Sequence, residues 1–217
     1  MKFRIQDISD STLAFNFSNS IDEEVNKYIN LLINSLDGNN LDLLSVYPTY
    51  NSLIITYNPL KTERIQVIEL IEKLNKAERN YKKVEGQILN IPVNYGGKHG
   101  EDLEEISKIL SMSEEQIIDI HSSKSYYVFM VGFSPGFPYL GGLDKRLECP
   151  RLSTPRVEVP AGSVAIADRQ TGIYPFKSSG GWRIIGNTDL KLFDKKNDSP
   201  SLIKPGIRVK FTPLWKY

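Results

Sequence analysis

Hydrophobic and polar positions follow two different rhythms along this chain, and the change of rhythm divides it. In residues 1–82, short β-rich runs alternate with helical stripes. Lys2 to Ile8 and Thr12 to Phe17 predict strands on either side of the turn-prone Ser9, Asp10 and Ser11. Ser20 followed by Glu23 has capping-box spacing, and it opens a segment that carries Val25, Tyr28, Leu32 and Leu36 on one face. This predicts an amphipathic helix ending near Gly38. Leu41 to Tyr47 and Leu53 to Tyr57 predict a hairpin, with Pro48 and Asn51 between its strands. After Pro59, the residues Val67, Leu70, Ile71 and Leu74 repeat at i, i+3, i+4, i+7, the stripe of a second helix. The order strand, strand, helix, strand, strand, helix predicts a small domain with helices on one face of a sheet.

Lys73 to Lys83 is rich in Lys, Asn, Glu and Arg and poor in apolar residues, so the boundary is placed there, with domains at 1–82 and 83–217. Strand-like sequence returns at Gln87 to Val93. Two short helices follow, one carrying Leu103, Ile106 and Leu110, the other opened by a Ser113/Gln116 capping box and ending near His121. From Tyr126 onward proline and glycine recur between short apolar runs at Tyr127 to Val131, Ser163 to Ala167, Trp182 to Ile185 and Ile207 to Phe211. No long 3.6-period segment occurs there, which predicts a β-barrel or sandwich with long loops. The fold class is therefore α+β.

Composition adds exclusions. Of 217 residues, 40% are hydrophobic and 24% charged, an ordinary globular balance. Lys+Arg of 27 against Asp+Glu of 26 leaves a net charge of +1, so no global field draws the chain to nucleic acid or an anionic membrane. No apolar run approaches the ~20 residues that span a bilayer, and the N-terminus is charged where a secretory signal would be apolar. With a single cysteine, Cys149, these features predict a cytoplasmic protein. His99 and His121 share no metal-binding spacing, and CxxC is absent, so no metal site is expected. Cys149 lies between Glu148 and Pro150, with no basic cluster to activate it, and reads as an inert thiol.

Three constellations hold the candidate chemistry. Gly132 to Leu143 is so rich in glycine and proline that it reads as a shaped loop presenting Phe133, Phe137 and Tyr139, either as one wall of a groove or as core filling. Lys177 to Arg183 carries Ser178, Ser179, Gly180 and Gly181. It is either a plain turn or a backbone cradle for a carboxylate or phosphate with Lys177 and Arg183 beside it. It is not a nucleotide-binding P-loop, since GxxxxGK[ST] occurs nowhere in the chain. Between them, the apolar run Val164 to Ala167 predicts a buried strand that delivers Asp168, Arg169, Gln170 and Tyr174 at or beyond its end. Arg156 offers a bidentate fork for a carboxylate, Gln170 and Tyr174 offer donors, and His121 is either a helix-terminal capping residue or a polar helper.

Taken in order, GFSPGFPYLGGLD from Gly132, PRVEVPAGSVAIA from Pro155, RQTGIYPF from Arg169, SGGW from Ser179 and IIGNT from Ile184 resemble the family of the 5-oxoprolinase B subunit, PxpB. That family includes the sporulation kinase inhibitor KipI and is similar to allophanate hydrolase subunit 1 and to a carboxyltransferase half of urea amidolyase. The resemblance covers about Ile91 to Thr188. It implies a small N-terminal α/β domain followed by a cyclophilin-like β-barrel domain. It also implies a heteromeric complex with a homologous C subunit plus a separate A subunit, in which ATP, held outside this chain, drives the opening of 5-oxoproline to glutamate. Two alternatives accompany it: an inhibitor that docks on a histidine kinase, and an allophanate hydrolase or urea carboxyltransferase component. The positions that match the motifs are Phe133, Ser134, Gly136, Phe137, Tyr139, Arg156, Gln170, Tyr174, Gly180, Gly181 and Trp182. Ser179 stands where the family has a proline, so this loop has one less fixed φ.

Overall fold

The structure is a computed structural model that describes residues 1–77 and 87–214. The predicted boundary at 82/83 lies outside the described residues. Contacts within the chain separate into two compact units, residues 1–85 and 86–217.

The first unit contains β1 (Arg4–Ser9), β2 (Thr12–Asn16), α1 (Glu23–Asn34), β3 (Leu43–Pro48), β4 (Ser52–Tyr57) and α2 (Arg64–Ala77). Its strands form one antiparallel sheet in the order β1-β2-β4-β3. Alternate residues of the central strands, Leu13 and Phe15 on β2 and Leu53, Ile55 and Tyr57 on β4, join Ile29 and Leu32 of α1 and Val67 and Ile71 of α2 in one core. This is the period-2 face of a sheet meeting the period-3.6 stripes of two helices. The cap of α1 differs from expectation. Asp22, not Ser20, closes the N-terminus by accepting from the backbone N–H groups of Glu24 at 2.8 Å and Val25 at 3.2 Å. A carboxylate answers the positive end of the helix better than a hydroxyl does, and the backbone N–H and hydroxyl of Ser20 engage Ser18 instead.

The second unit is a closed barrel. Its strands are β5 (Ile88–Tyr95), β6 (Ser125–Val131), β7 (Pro138–Gly141), β9 (Ser163–Ala167), β10 (Gln170–Ile173), β12 (Arg183–Asn187) and β13 (Arg208–Pro213), ringed in the order β10-β7-β6-β13-β5-β12-β9. β5 and β13 run parallel and the other neighbours antiparallel. A two-stranded ribbon, β8 (Arg156–Val159) with β11 (Ser178–Gly180), lies outside the ring. Helices α3 (Leu103–Leu110) and α4 (Glu114–Ser122) fall between β5 and β6. The capping box at Ser113 and Gln116 is formed as the spacing predicts. Among the described residues no helix is long and apolar enough to cross a membrane.

One segment corrects the sequence reading. Pro138 to Gly141, taken as part of a loop, is the barrel strand β7, bonded to β6 on one side and β10 on the other. Pro138 sits at its first residue, where a missing N–H is tolerated. Gly141 is required there, because a Cβ would lie 2.1 Å from the Phe129 ring. The strand signal is hidden because its two ends carry the residues that usually mark turns.

The barrel interior is identified by which residues meet. Val164 and Ile166 of β9 share a core with Ile91 of β5, Tyr126 of β6 and Phe211 of β13, strands from around the ring. Ala165 and Ala167, the alternate residues of β9, join Phe137, Val159, Tyr174, Trp182 and Ile184 in a separate cluster on the outer face. The ribbon supplies Val159 to this outer layer. Both faces of the wall are thus buried, which is why every residue of β9 is inaccessible.

Candidate functional site

On the outer face of this wall lies a cavity of about 190 Å³, lined by Phe133, Phe137, Tyr139, Arg151, Leu152, Pro155, Tyr174, Gly180, Gly181 and Trp182. That is below the roughly 300–1,000 Å³ of sites for drug-sized molecules, so it suits a small ligand. Phe137 is its hub. The ring packs edge-to-face on Phe133 at 5.6 Å, Tyr139 at 5.0 Å, Tyr174 at 5.2 Å and Trp182 at 5.5 Å. Two glycines make this packing possible. At Gly172 of β10 a Cβ would come within 3.0 Å of both Phe137 and Trp182, and at Gly180 of β11 it would meet the Tyr174 hydroxyl at 2.3 Å. The aromatic cluster therefore rests directly on backbone.

Phe133 is held differently. The Ser134 N–H donates to the Gly132 carbonyl at 2.8 Å, a γ-turn centred on Phe133, whose φ is 67°. This conformation is rare and strained for a bulky residue. The turn is closed by the Gly132 N–H to the Phe137 carbonyl at 3.0 Å, and it leaves the Phe133 side chain 64% exposed at the cavity. A strained backbone that presents an aromatic ring to solvent has no packing rationale of its own.

The polar groups at the cavity are phenols and one guanidinium. Burial raises the Tyr174 phenol above its ordinary value, partly opposed by the Trp182 backbone N–H that donates to it. Burial also raises Tyr139, opposed by the charge of Arg151. Both stay protonated near neutral pH and act as hydrogen-bonding groups rather than bases. Arg151 is fixed through its neighbours. Cys149 bridges to Asp168, the Pro150 carbonyl accepts from Arg183 at 2.9 Å, and the Leu152 N–H donates to Gly181 at 2.8 Å. The Cys149 thiol itself is buried, and burial pushes its pKa up, consistent with an inert role.

Several residues singled out in the sequence lie elsewhere. Arg156 does form a bidentate carboxylate clamp, but its partner is internal: it donates to Asp102 at 2.6 and 3.0 Å and lies 3.1 Å from Glu101. Asp102 is buried and also accepts from the Ile184 N–H at 2.6 Å, so the pair pins the ribbon to β12 and to the start of α3. At the anion cradle considered at Lys177 to Arg183, both flanking charges have partners within the chain, while Gly180 and Gly181 line the cavity. Lys177 pairs with Glu158 across the ribbon at 2.6 Å, while Arg183 is buried, with Nη1 3.0 Å from Glu105. Gln170 opens β10 opposite Gly141 and Ala167, Ser179 is exposed on β11, and Gly136 turns with φ 87° against Phe193. None of these three lines the cavity, nor does Ser134, whose hydroxyl oxygen is buried with no hydrogen-bond partner among the described residues.

His121 is inside the barrel. Its Nδ1 is 2.7 Å from the Tyr95 hydroxyl on β5 and its Nε2 is 2.9 Å from the Thr171 hydroxyl on β10, across the ring. Thr171 donates its own proton to the Ala165 carbonyl at 3.0 Å, so it accepts from Nε2–H, and Tyr95 donates to Nδ1. The imidazole also stacks on Phe211 at 4.6 Å, and burial lowers its pKa to about 3. It is a neutral structural plug, separated from the cavity by the strand wall. Arg151, Leu152 and Pro155 are the lining residues that sequence reasoning missed. Arg151 and Leu152 lie between two of the quoted motifs in a segment without periodicity, and Pro155 opens the second of those motifs but was not singled out as a site residue.

Residues 3–203 match the protein family described as the carboxyltransferase domain, subdomain C and D. The B subunit of 5-oxoprolinase from Bacillus subtilis (strain 168) is 37% identical over 229 residues, covering 99% of this chain and 94% of the relative. That of Haemophilus influenzae is 49% identical over 144 residues, covering 65% and 68%. The solved structure of TTHA0988 superposes with a TM-score of 0.83 at 32% identity over 95% of this chain. This chain spans 40% of the length of that protein.

Proposed function

The chain belongs to the carboxyltransferase-domain family and, within it, stands with the 5-oxoprolinase B subunits, and on that premise we propose that it is the B subunit of an ATP-dependent complex that opens 5-oxo-L-proline to L-glutamate. The observation that carries the site assignment is the aromatic cavity, where seven residues selected from the sequence motifs converge: Phe133, Phe137, Tyr139, Tyr174, Gly180, Gly181 and Trp182. A small five-membered lactam fits such a place. Its apolar ring edge packs on aromatic faces, and its amide and carboxylate require a few hydrogen-bonding groups at fixed positions.

The division of labour follows from the lining groups. Neutral phenols and a guanidinium bind and orient, but none of the lining side chains is a nucleophile or a base near neutral pH. In this reading, activation of the lactam oxygen by phosphate from ATP uses a nucleotide held elsewhere in the complex, and this chain positions the ring and limits its access to water. The exposed, strained Phe133 supports closure of the cavity by a second protein, the homologous C subunit.

Reconstitution provides the test. The full chain by itself is expected to show no 5-oxoproline-dependent ATP hydrolysis, and addition of the A and C subunits to produce it. A complete complex without such hydrolysis refutes the assignment. Capture of a histidine kinase in place of the C subunit would replace it with the inhibitor reading.

A further inference from the structure

We infer that Arg151, held by Asp168, is the anchor for the carboxylate of the ligand in the aromatic cavity. The inference rests on the lactam reading above and goes beyond it by naming the group that selects an anionic ring. Among the described residues that line the cavity, Arg151 alone carries a charge. Its Nε lies 3.2 Å from an Asp168 carboxylate oxygen, and both side chains are more than half exposed, a pairing that water already weakens. With Nε engaged by Asp168, the two terminal nitrogens remain for an end-on, two-pronged contact with a second carboxylate.

Both partners are fixed in place before any ligand arrives. Asp168 occupies the first position of the two-residue β9–β10 turn with φ 51°, a conformation that Asp tolerates better than most residues. Its N–H donates to the Cys149 carbonyl at 2.7 Å. Arg151 has anchored neighbours on both sides, at Pro150 through Arg183 and at Leu152 through Gly181. The guanidinium is therefore delivered on restrained backbone, and the ordering cost of binding falls on the side chain alone. Arg156 cannot serve this purpose, since Asp102 and Glu101 already occupy its fork.

A chemical double-mutant cycle tests the assignment. The complex of the full chain with its A and C partners is titrated calorimetrically, without ATP, with 5-oxo-L-proline and with 2-pyrrolidinone, which lacks only the carboxylate. In Arg151→Gln, 5-oxoproline should bind about tenfold or more weakly, the loss of a charge-assisted contact, while pyrrolidinone affinity stays within about twofold. Arg151→Lys should recover part of the difference, keeping charge but not the fork. Equal weakening of both ligands, or undiminished 5-oxoproline binding, overturns the anchor and leaves the lactam site standing. Absence of saturable 5-oxoproline binding to the wild-type complex overturns the lactam reading, and the anchor with it.

Discussion

The inner and outer faces of the wall formed by β7, β10, β9 and β12 are built from alternate residues of the same strands, yet they treat polar atoms in opposite ways. Inside, Thr171 and His121 form a closed chain with Tyr95 and the Ala165 carbonyl, in which each hydrogen has a receiver. Outside, Tyr174 and Arg151 border open space, and Phe133 is held out at a strained φ. A buried polar group whose bonds are complete contributes stability and order, because leaving it unpaired in low dielectric is costly. A polar group that faces a cavity keeps capacity for a ligand. Burial and an unusual residue type are common to both faces, and what the polar atoms face separates them.

The ribbon clamp is the place where this contrast is most open to challenge, because Arg156 lies on the outer side but behaves like the interior. Arg156→Ala should destabilise the C-terminal unit by about 3 kcal/mol, since it leaves the carboxylate of Asp102 buried without its counter-charge. Unfolding followed by tryptophan fluorescence reports on this unit through Trp182, which is buried in its outer cluster. A variant of unchanged stability that lost activity would return Arg156 to the ligand site.

The interior makes a prediction in pH. His121 is neutral in the fold with its pKa lowered to about 3, whereas in the unfolded chain it titrates near 6.5. The unfolded state therefore binds more protons between these values. The stability that comes from keeping His121 neutral is complete above about pH 6.5 and is lost as pH falls toward 3, by up to about 1.4 kcal/mol per unit. In His121→Asn the dependence of unfolding on pH in this window should be shallower by that slope. An unchanged profile would mean that the imidazole is accessible to protons in the folded state.

The smallest stability effect is expected on the outer face. Phe133→Gly relieves a φ of 67° while giving the unfolded chain more freedom, so the net change should stay within about 1 kcal/mol. Activity of the reconstituted complex should nevertheless fall, because the exposed ring is gone. A large loss of stability would place Phe133 with the core residues and blur the distinction between the faces.

Much of this molecule was legible in the order of its residues. The helical stripes of α1 and α2, the capping box at Ser113 and the fully apolar β9 follow from periodicity and turn chemistry, which act over a few neighbours, while the same patterning left a barrel and a sandwich both open for the C-terminal strands. The aromatic and glycine positions at the cavity stood out as stiff, shaped segments, because dense glycine and proline restrict a chain wherever it folds, but whether they formed a groove wall or filled the core stayed open in the residues. The placement of partners was not legible. Whether Arg156 or Arg151 meets a ligand depends on Asp102, 54 positions away from Arg156, reaching one fork first. Whether His121 is a helper or a plug depends on β5 and β10 closing on opposite sides of one ring. Pro138 to Gly141 became a strand because β6 and β10 offered their edges to it. Local sequence determined which segments were stiff, apolar or turned. Ring closure, by bringing distant segments together, decided which polar groups were locked into the interior and which came to face a cavity.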